Sequence, residues 1–327
     1  MAERTAQVAP RLQLTYEVAI LIALLLIATV VALLAPRFLS TTNLFQVARN
    51  FSFVAAVGVG EAMVILTGRG AIDLSVGSLV SLGAVVVTKL LSLQVPIALA
   101  IAAGIGVGLA AGIVNGMLVT RLNIAPLVVT LGMLSVAAGL SLVITRGFPI
   151  TQLGPAARTF IWLGAGFVGP VPMPVIYMAL VVLAGWLVTS RTSFGYALFA
   201  VGGNQEAANL AGIHVDRIKL AVFAASGAIA AMTGVVLAAR LSVGDATLGV
   251  GMELNAIAAV VIGGVSLVGG RGSILGIILG AALIGVLQNA MVLLGVSAFW
   301  QQVVVGLTII VAVMLDRLRV ALLTRRV

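Results

Sequence analysis

The spacing of long apolar runs constrains this chain more than any other feature. Ten such runs lie at approximately 18–35, 52–68, 72–92, 96–119, 126–145, 174–189, 218–239, 254–268, 273–294 and 299–315. A bilayer core needs about 20 apolar residues per helix, within roughly 17–25. Of the 327 residues 62% are hydrophobic and 8% charged. A soluble domain carries roughly a quarter charged residues and could not bury so much apolar surface. The chain therefore reads as an all-α polytopic membrane protein of about ten transmembrane helices. The eighth run is short and carries Gly263-Gly264 and Gly269-Gly270, so it is expected to be broken or re-entrant.

Orientation follows from Lys and Arg. With the N-terminus inside, 12 of them face inward and 6 outward. The positive-inside rule then puts both termini in the cytoplasm. Residues 1–17 read as a polar cytoplasmic tail, 18–316 as one transmembrane domain and 317–327 as a basic cytoplasmic tail. The first run is long enough to span and is expected to be retained rather than cleaved. Trp162, Tyr177 and Trp300 fall near outer ends and Trp186 near an inner end, as interface aromatics do. Residues 146–173 form an outer loop and 190–217 the longest inner loop. No separate soluble domain remains, so any larger apparatus must come from partners.

Ten helices also fit two sets of five, the second inserted with inverted topology. Gly77-Ser78 and Gly272-Ser273 each begin an apolar helix, and Gly112 to Met117 faintly echoes Gly285 to Met291. Glycine recurs this often in packed membrane bundles, so packing explains the echo equally well. Gly104, Gly106, Gly108, Gly112 and Gly116 lie along one run, and Gly276 and Gly280 form a GxxxG; all read as helix contacts.

Several chemistries are excluded. Cysteine is absent, which removes disulfides and thiolate sites, and the one histidine, His214, leaves no room for a His-based metal site. The formal charge of +9 is scattered between apolar runs and is no nucleic-acid footprint. A nucleotide-binding loop needs Gly-Lys-Ser or Gly-Lys-Thr, but Lys89 follows Thr88 and Lys219 follows Ile218. No catalytic residue, metal or bound cofactor is expected.

Polar residues inside the runs carry more information. Glu61 lies mid-run, where a carboxylate must be paired, protonated or wetted. Arg69, eight residues on, is too far to pair with it. Asp73 and Ser75 either cap the third helix or sit on a loop dipping into the bundle, where irregular backbone is tolerated only against protein or water. Asn115, Gln288 and Asn289 are helix amides whose default role is interhelical hydrogen bonding. Asp73, Ser75, Asn115, Asn289 and Glu61 are the candidates for a polar pathway.

The inner loop holds the strongest local pattern. Asn204 is a good N-cap after two glycines. Glu206 lies in the first turn, favourable to the helix dipole, and Gly212 is a natural stop. Gln205, Ala207, Ala208, Asn209 and Leu210 complete a helix of about two turns, too short to hold itself. It reads as a docking segment for a protein groove or, alternatively, as an interfacial helix.

Together these stretches resemble a family. AIDLSVGSLVSLGAVV (71–86), NGMLVTRLNIAPLVVTLGMLSVAAGLSLVIT (115–145) and YALFAVGGNQEAANLAGIHVDRIKLAVFAASG (196–227) match it. So do ELNAIAAVVIGGVSLVGGRGSILGIILGA (253–281) and VLQNAMVLLGVSAFWQQVVVGLTIIVAVMLD (286–316). The chain resembles the membrane permease subunits of bacterial ABC importers for ribose and other monosaccharides. The resemblance implies a bacterial inner-membrane protein that pairs with a second permease, identical or different, to form a pore. It implies a cytoplasmic ATPase, often with two fused nucleotide-binding domains, which uses ATP and Mg. It also implies an extracytoplasmic sugar-binding protein, and makes residues 204–212 the coupling helix. Amino-acid import by the same machinery, an ion- or proton-coupled secondary transporter and a structural scaffold are the alternatives.

Overall fold

The structure, a computed structural model, describes residues 2–324. Its order is α1 (Ala2–Leu34), a 3-10 turn (Pro36–Leu39), α2 (Thr41–Leu66), α3 (Val76–Ser92), α4 (Ile97–Arg121) and α5 (Pro126–Thr145). Then follow α6 (Ala157–Ala165), a hairpin of β1 (Phe167–Val168) and β2 (Val171–Pro172), α7 (Met173–Arg191), α8 (Ser193–Gly203) and α9 (Gln205–Leu210). The last helices are α10 (Val215–Leu241), α11 (Met252–Ile262), α12 (Gly276–Leu293) and α13 (Ala298–Thr324).

Every apolar run meets a helix. Among the described residues seven are long and apolar enough to cross a membrane: α1 over Glu17–Leu34, α2, α4, α5, α7, α10 and α12. The third and eighth runs yield shorter helices, α3 with 17 residues and α11 with 11. The break expected in the eighth run lies at 263–275, between α11 and α12.

Several boundaries differ, each for a physical reason. The second helix begins at Thr41, not near residue 52, and Ser40 Oγ accepts from Asn43 N–H at 3.4 Å as its cap. Arg49 and Asn50 interrupt the hydropathy there but not the helix. The third helix begins at Val76 rather than near 72, because the Asp73 side chain takes the Ser75 N–H and closes a turn over 73–75, after a stretch in which Gly68, Arg69 and Gly70 adopt positive φ. The expected outer loop holds α6 and the hairpin, and Ile150 exchanges backbone bonds of 2.9 Å with Gly244. The expected inner loop is largely helical, as α8 and α9. Helix α1 reaches back to Ala2 and α13 on to Thr324, so both run into the expected tails, while Arg325 and Arg326 lie outside the described residues. Tyr177, expected as an interface aromatic near an outer end, is buried, its hydroxyl 2.8 Å from Thr233 Oγ1.

Burial separates axis from periphery. The apolar window of α2 is 83% buried, against 11% for α1 and 22% for α4 and α5. The exposed Leu and Val faces of the peripheral helices are what lipid would cover. Since lipid gives no hydrophobic drive for helix association, close backbone approach must serve instead. A Cβ on Gly108 of α4 would overlap the Gly227 carbonyl of α10, and one on Gly280 of α12 would overlap the Ala259 carbonyl of α11. Gly106, off that face, has open space around it.

Candidate functional site

Two sites emerge, one inside the bundle and one at its rim. The inner site is built on the loop 67–75. Glu61 from α2 accepts the Asp73 N–H on Oε1 at 3.1 Å. Asp73 Oδ1 accepts from Ser75 N–H at 3.0 Å and Ser75 Oγ at 2.5 Å, and its Oδ2 accepts from Ser226 Oγ of α10 at 2.9 Å. Asn115 of α4 donates from Nδ2 to Ser75 Oγ at 3.1 Å. Thr130 of α5 donates to the Ile72 carbonyl at 3.2 Å. Glu61, Asp73, Ser75, Asn115 and Ser226 are all buried. Glu61 Oε2 and Asn115 Oδ1 have no partner among the described residues. Among the described residues no Lys, Arg or His reaches either carboxylate within 4.0 Å.

Four of the five expected pathway residues therefore meet in one network. The loop dips into the bundle, and the Asp73 side chain organises it by accepting from Ser75 N–H. Ser75 itself makes no side-chain cap to α3. Asn289 stands apart. Its amide exchanges two bonds, 2.8 and 2.9 Å, with Asn43 at the start of α2. Asn43 and Glu61 are 18 residues apart on α2, or about 27 Å at roughly 1.5 Å per residue. Ser226 was not expected, since a lone serine in an Ala- and Gly-rich helix carries no sign of its neighbours.

The rim site is α9. Asn204 Oδ1 accepts from Glu206 and Ala207 N–H, both at 3.0 Å, which is the cap its sequence promised. At the other end Gly212 takes φ +83°, and the Gly212 and Ile213 amides return to Asn209 and Ala208 carbonyls. The helix has two faces. Gln205 and Ala208 turn toward the bundle, while Glu206, Ala207, Asn209 and Leu210 are exposed. Leu210 is 90% exposed, an apolar side chain at the end of a capped helix with nothing among the described residues to cover it. Glu206 pairs loosely with Arg69 at 3.5 Å.

The family model described as "Branched-chain amino acid transport system / permease component" matches residues 43–313. The chain belongs to this family. The permease is 40% identical to the ribose import permease protein RbsC of Escherichia coli K12, over 90% of its own length and 92% of that protein's. It is 37% identical to the D-allose transport system permease protein of Escherichia coli K12, over 90% of each chain. It is 35% identical to the L-arabinose ABC transporter permease protein of Azospirillum brasilense, over 92% of this chain and 87% of that one. No solved structure matches it. As an ABC importer permease it is a transport subunit of the inner membrane and not an enzyme.

Proposed function

We propose that this permease forms half of a pore importing a monosaccharide, with ribose the first sugar to test. The observation that carries the reading is α9, self-capped and presenting Leu210 outward, in a chain whose relatives import ribose, allose and arabinose. A separate cytoplasmic ATPase docks on α9 and hydrolyses ATP with Mg; this chain binds neither. An extracytoplasmic binding protein delivers sugar, and a second permease subunit, identical or different, completes the pore. Residues 18–316 act as one membrane domain with ten crossings and both termini cytoplasmic.

Asp73, Ser75, Asn115 and Glu61 contribute to the translocation pathway. A neutral sugar needs hydrogen-bonding groups without a deep charged well, because it must leave again. Asn289 contributes at a different level of the bundle, once its bonds to Asn43 open.

The docking face is tested by substitution. Glu206→Lys or Leu210→Asp should leave the permease in the membrane but reduce ATPase co-purification or abolish sugar-stimulated hydrolysis. Thr159→Asp, on the other side of the membrane, should do neither. Normal ATPase binding and transport in both α9 variants would make α9 an interfacial bystander. Uptake across a panel of pentoses, hexoses and branched-chain amino acids then names the substrate.

A further inference from the structure

We infer that α9 drives the buried Asp73 loop through a backbone junction of Gly68, Gly202 and Gly269-Gly270, with Gln205 as the strut that holds α9 against it. The inference rests on the reading of α9 as the ATPase-docking helix, and identifies what lies behind that helix. Gln205 is the polar residue on its inward face. Its Nε2 donates to the Thr67 carbonyl at 3.0 Å, and its Oε1 accepts from Lys219 Nζ of α10 at 3.2 Å. Thr67 is the buried residue at which α2 ends. Six residues further on lies Asp73, whose N–H is held by Glu61.

Beside the strut, three chain segments meet main chain to main chain. The Gly270 N–H donates to the Leu66 carbonyl at 3.1 Å. A Cβ on Gly202, at the end of α8, would overlap that same carbonyl. A Cβ on Gly269 would overlap Gly68 Cα, and one on Gly270 would lie 2.6 Å from the Gly203 nitrogen. No side chain intervenes that could absorb a displacement by changing rotamer, and close-packed groups transmit strain. The junction joins the end of α8, which leads into α9, to both loops that interrupt helices, 67–75 and 263–275. The Arg69–Glu206 contact also spans the gap, but both side chains are mostly exposed and their attraction is screened. It is therefore a poor strut.

The test uses the full complex of permease, ATPase and binding protein. Gln205→Met keeps the side-chain length and removes both hydrogen bonds. The expected result is ATPase co-purification as in the parent, with sugar moved per ATP reduced about tenfold. A structural readout accompanies it in this cysteine-free chain. Leu74→Cys lies on the Asp73 loop, and its maleimide labelling rate should change on trapping with ATP and vanadate. Adding Gln205→Met should abolish that change. An unaltered ATP response at residue 74 with normal sugar per ATP would overturn the inference. So would loss of ATPase binding in Gln205→Met, which would put Gln205 in the docking surface. Failure of the parent complex to bind the ATPase or import sugar would overturn the underlying reading as well.

Discussion

Residues 67–75 and 263–275 each join a helix that ends to another that begins, 67–75 between α2 and α3 and 263–275 between α11 and α12. Both must satisfy backbone groups that no helix satisfies, and they do so by different means. In the first loop Thr67, Asp73 and Ser75 are fully buried, and carboxylates from Glu61 and Asp73 take up the free N–H groups. In the second, Val268, Arg271 and Leu275 are exposed, and the loop closes largely on its own backbone. Ser266 N–H reaches the Arg271 carbonyl at 2.9 Å, and Gly269 N–H the Ser266 carbonyl at 3.0 Å. A loop at the rim can turn on glycine alone. The buried end of the first loop needs carboxyl acceptors, one its own, from Asp73, and one brought to it by α2, from Glu61.

If that contrast holds, the first loop should be sensitive to chemistry and the second to bulk. The largest effect is expected from Asp73→Ala. It strips the acceptor from Ser75 and Ser226, at about 1–3 kcal/mol for each donor left unpaired. Uptake should fall more steeply than complex assembly, measured by transport beside size-exclusion of the assembled complex. Failure to assemble would reduce Asp73 to a packing residue.

Next comes Gly276→Val, which forces a side chain against the Gly263 carbonyl where α12 meets α11. Overpacking of this kind costs about 1–3 kcal/mol and should lower the melting temperature in detergent. An unchanged melting temperature would mean the second loop has slack.

A smaller effect tests the amide lock outside both loops. A double-mutant cycle on Asn43→Ala and Asn289→Ala should give a coupling near 0.6 and at most about 1.7 kcal/mol, the range of hydrogen bonds within membranes. Zero coupling would detach the pair from stability. The smallest effect belongs to Ser273→Ala. Its hydroxyl makes only a 3.4 Å contact with Gly276 N–H, so the change should stay within about 0.5 kcal/mol. A larger loss there would erase the contrast between the loops.

Much of this arrangement is legible in the sequence, and the gaps have physical causes. Long apolar runs mark helices because a bilayer imposes their length, and α5 was expected and found at residues 126–145. Asp73 and Ser75 stand out because polar residues are costly beside apolar runs. Asn204 and Gly212 announce α9 because capping is local chemistry. Hydropathy is blind to α6 and α8, with 9 and 11 residues, since neither is long enough to register as a span. It also starts the second helix only after Arg49, which lies within α2 and packs its guanidinium 4.8 Å over the Phe167 ring. Asn115 and Asn289 look alike in sequence but occupy different neighbourhoods, because an amide's partner is set by helix packing. Ser226 and the Gln205–Thr67 bond are long-range pairings that one chain's sequence does not display.

Import by a reconstituted system tests the central claim most directly. Proteoliposomes carrying the permease should accumulate labelled ribose or a related monosaccharide only with the ATPase, ATP on the ATPase side and the binding protein on the other. The permease alone should neither hydrolyse ATP nor accumulate sugar. Accumulation of solute by the lone chain on a proton or sodium gradient would contradict the account.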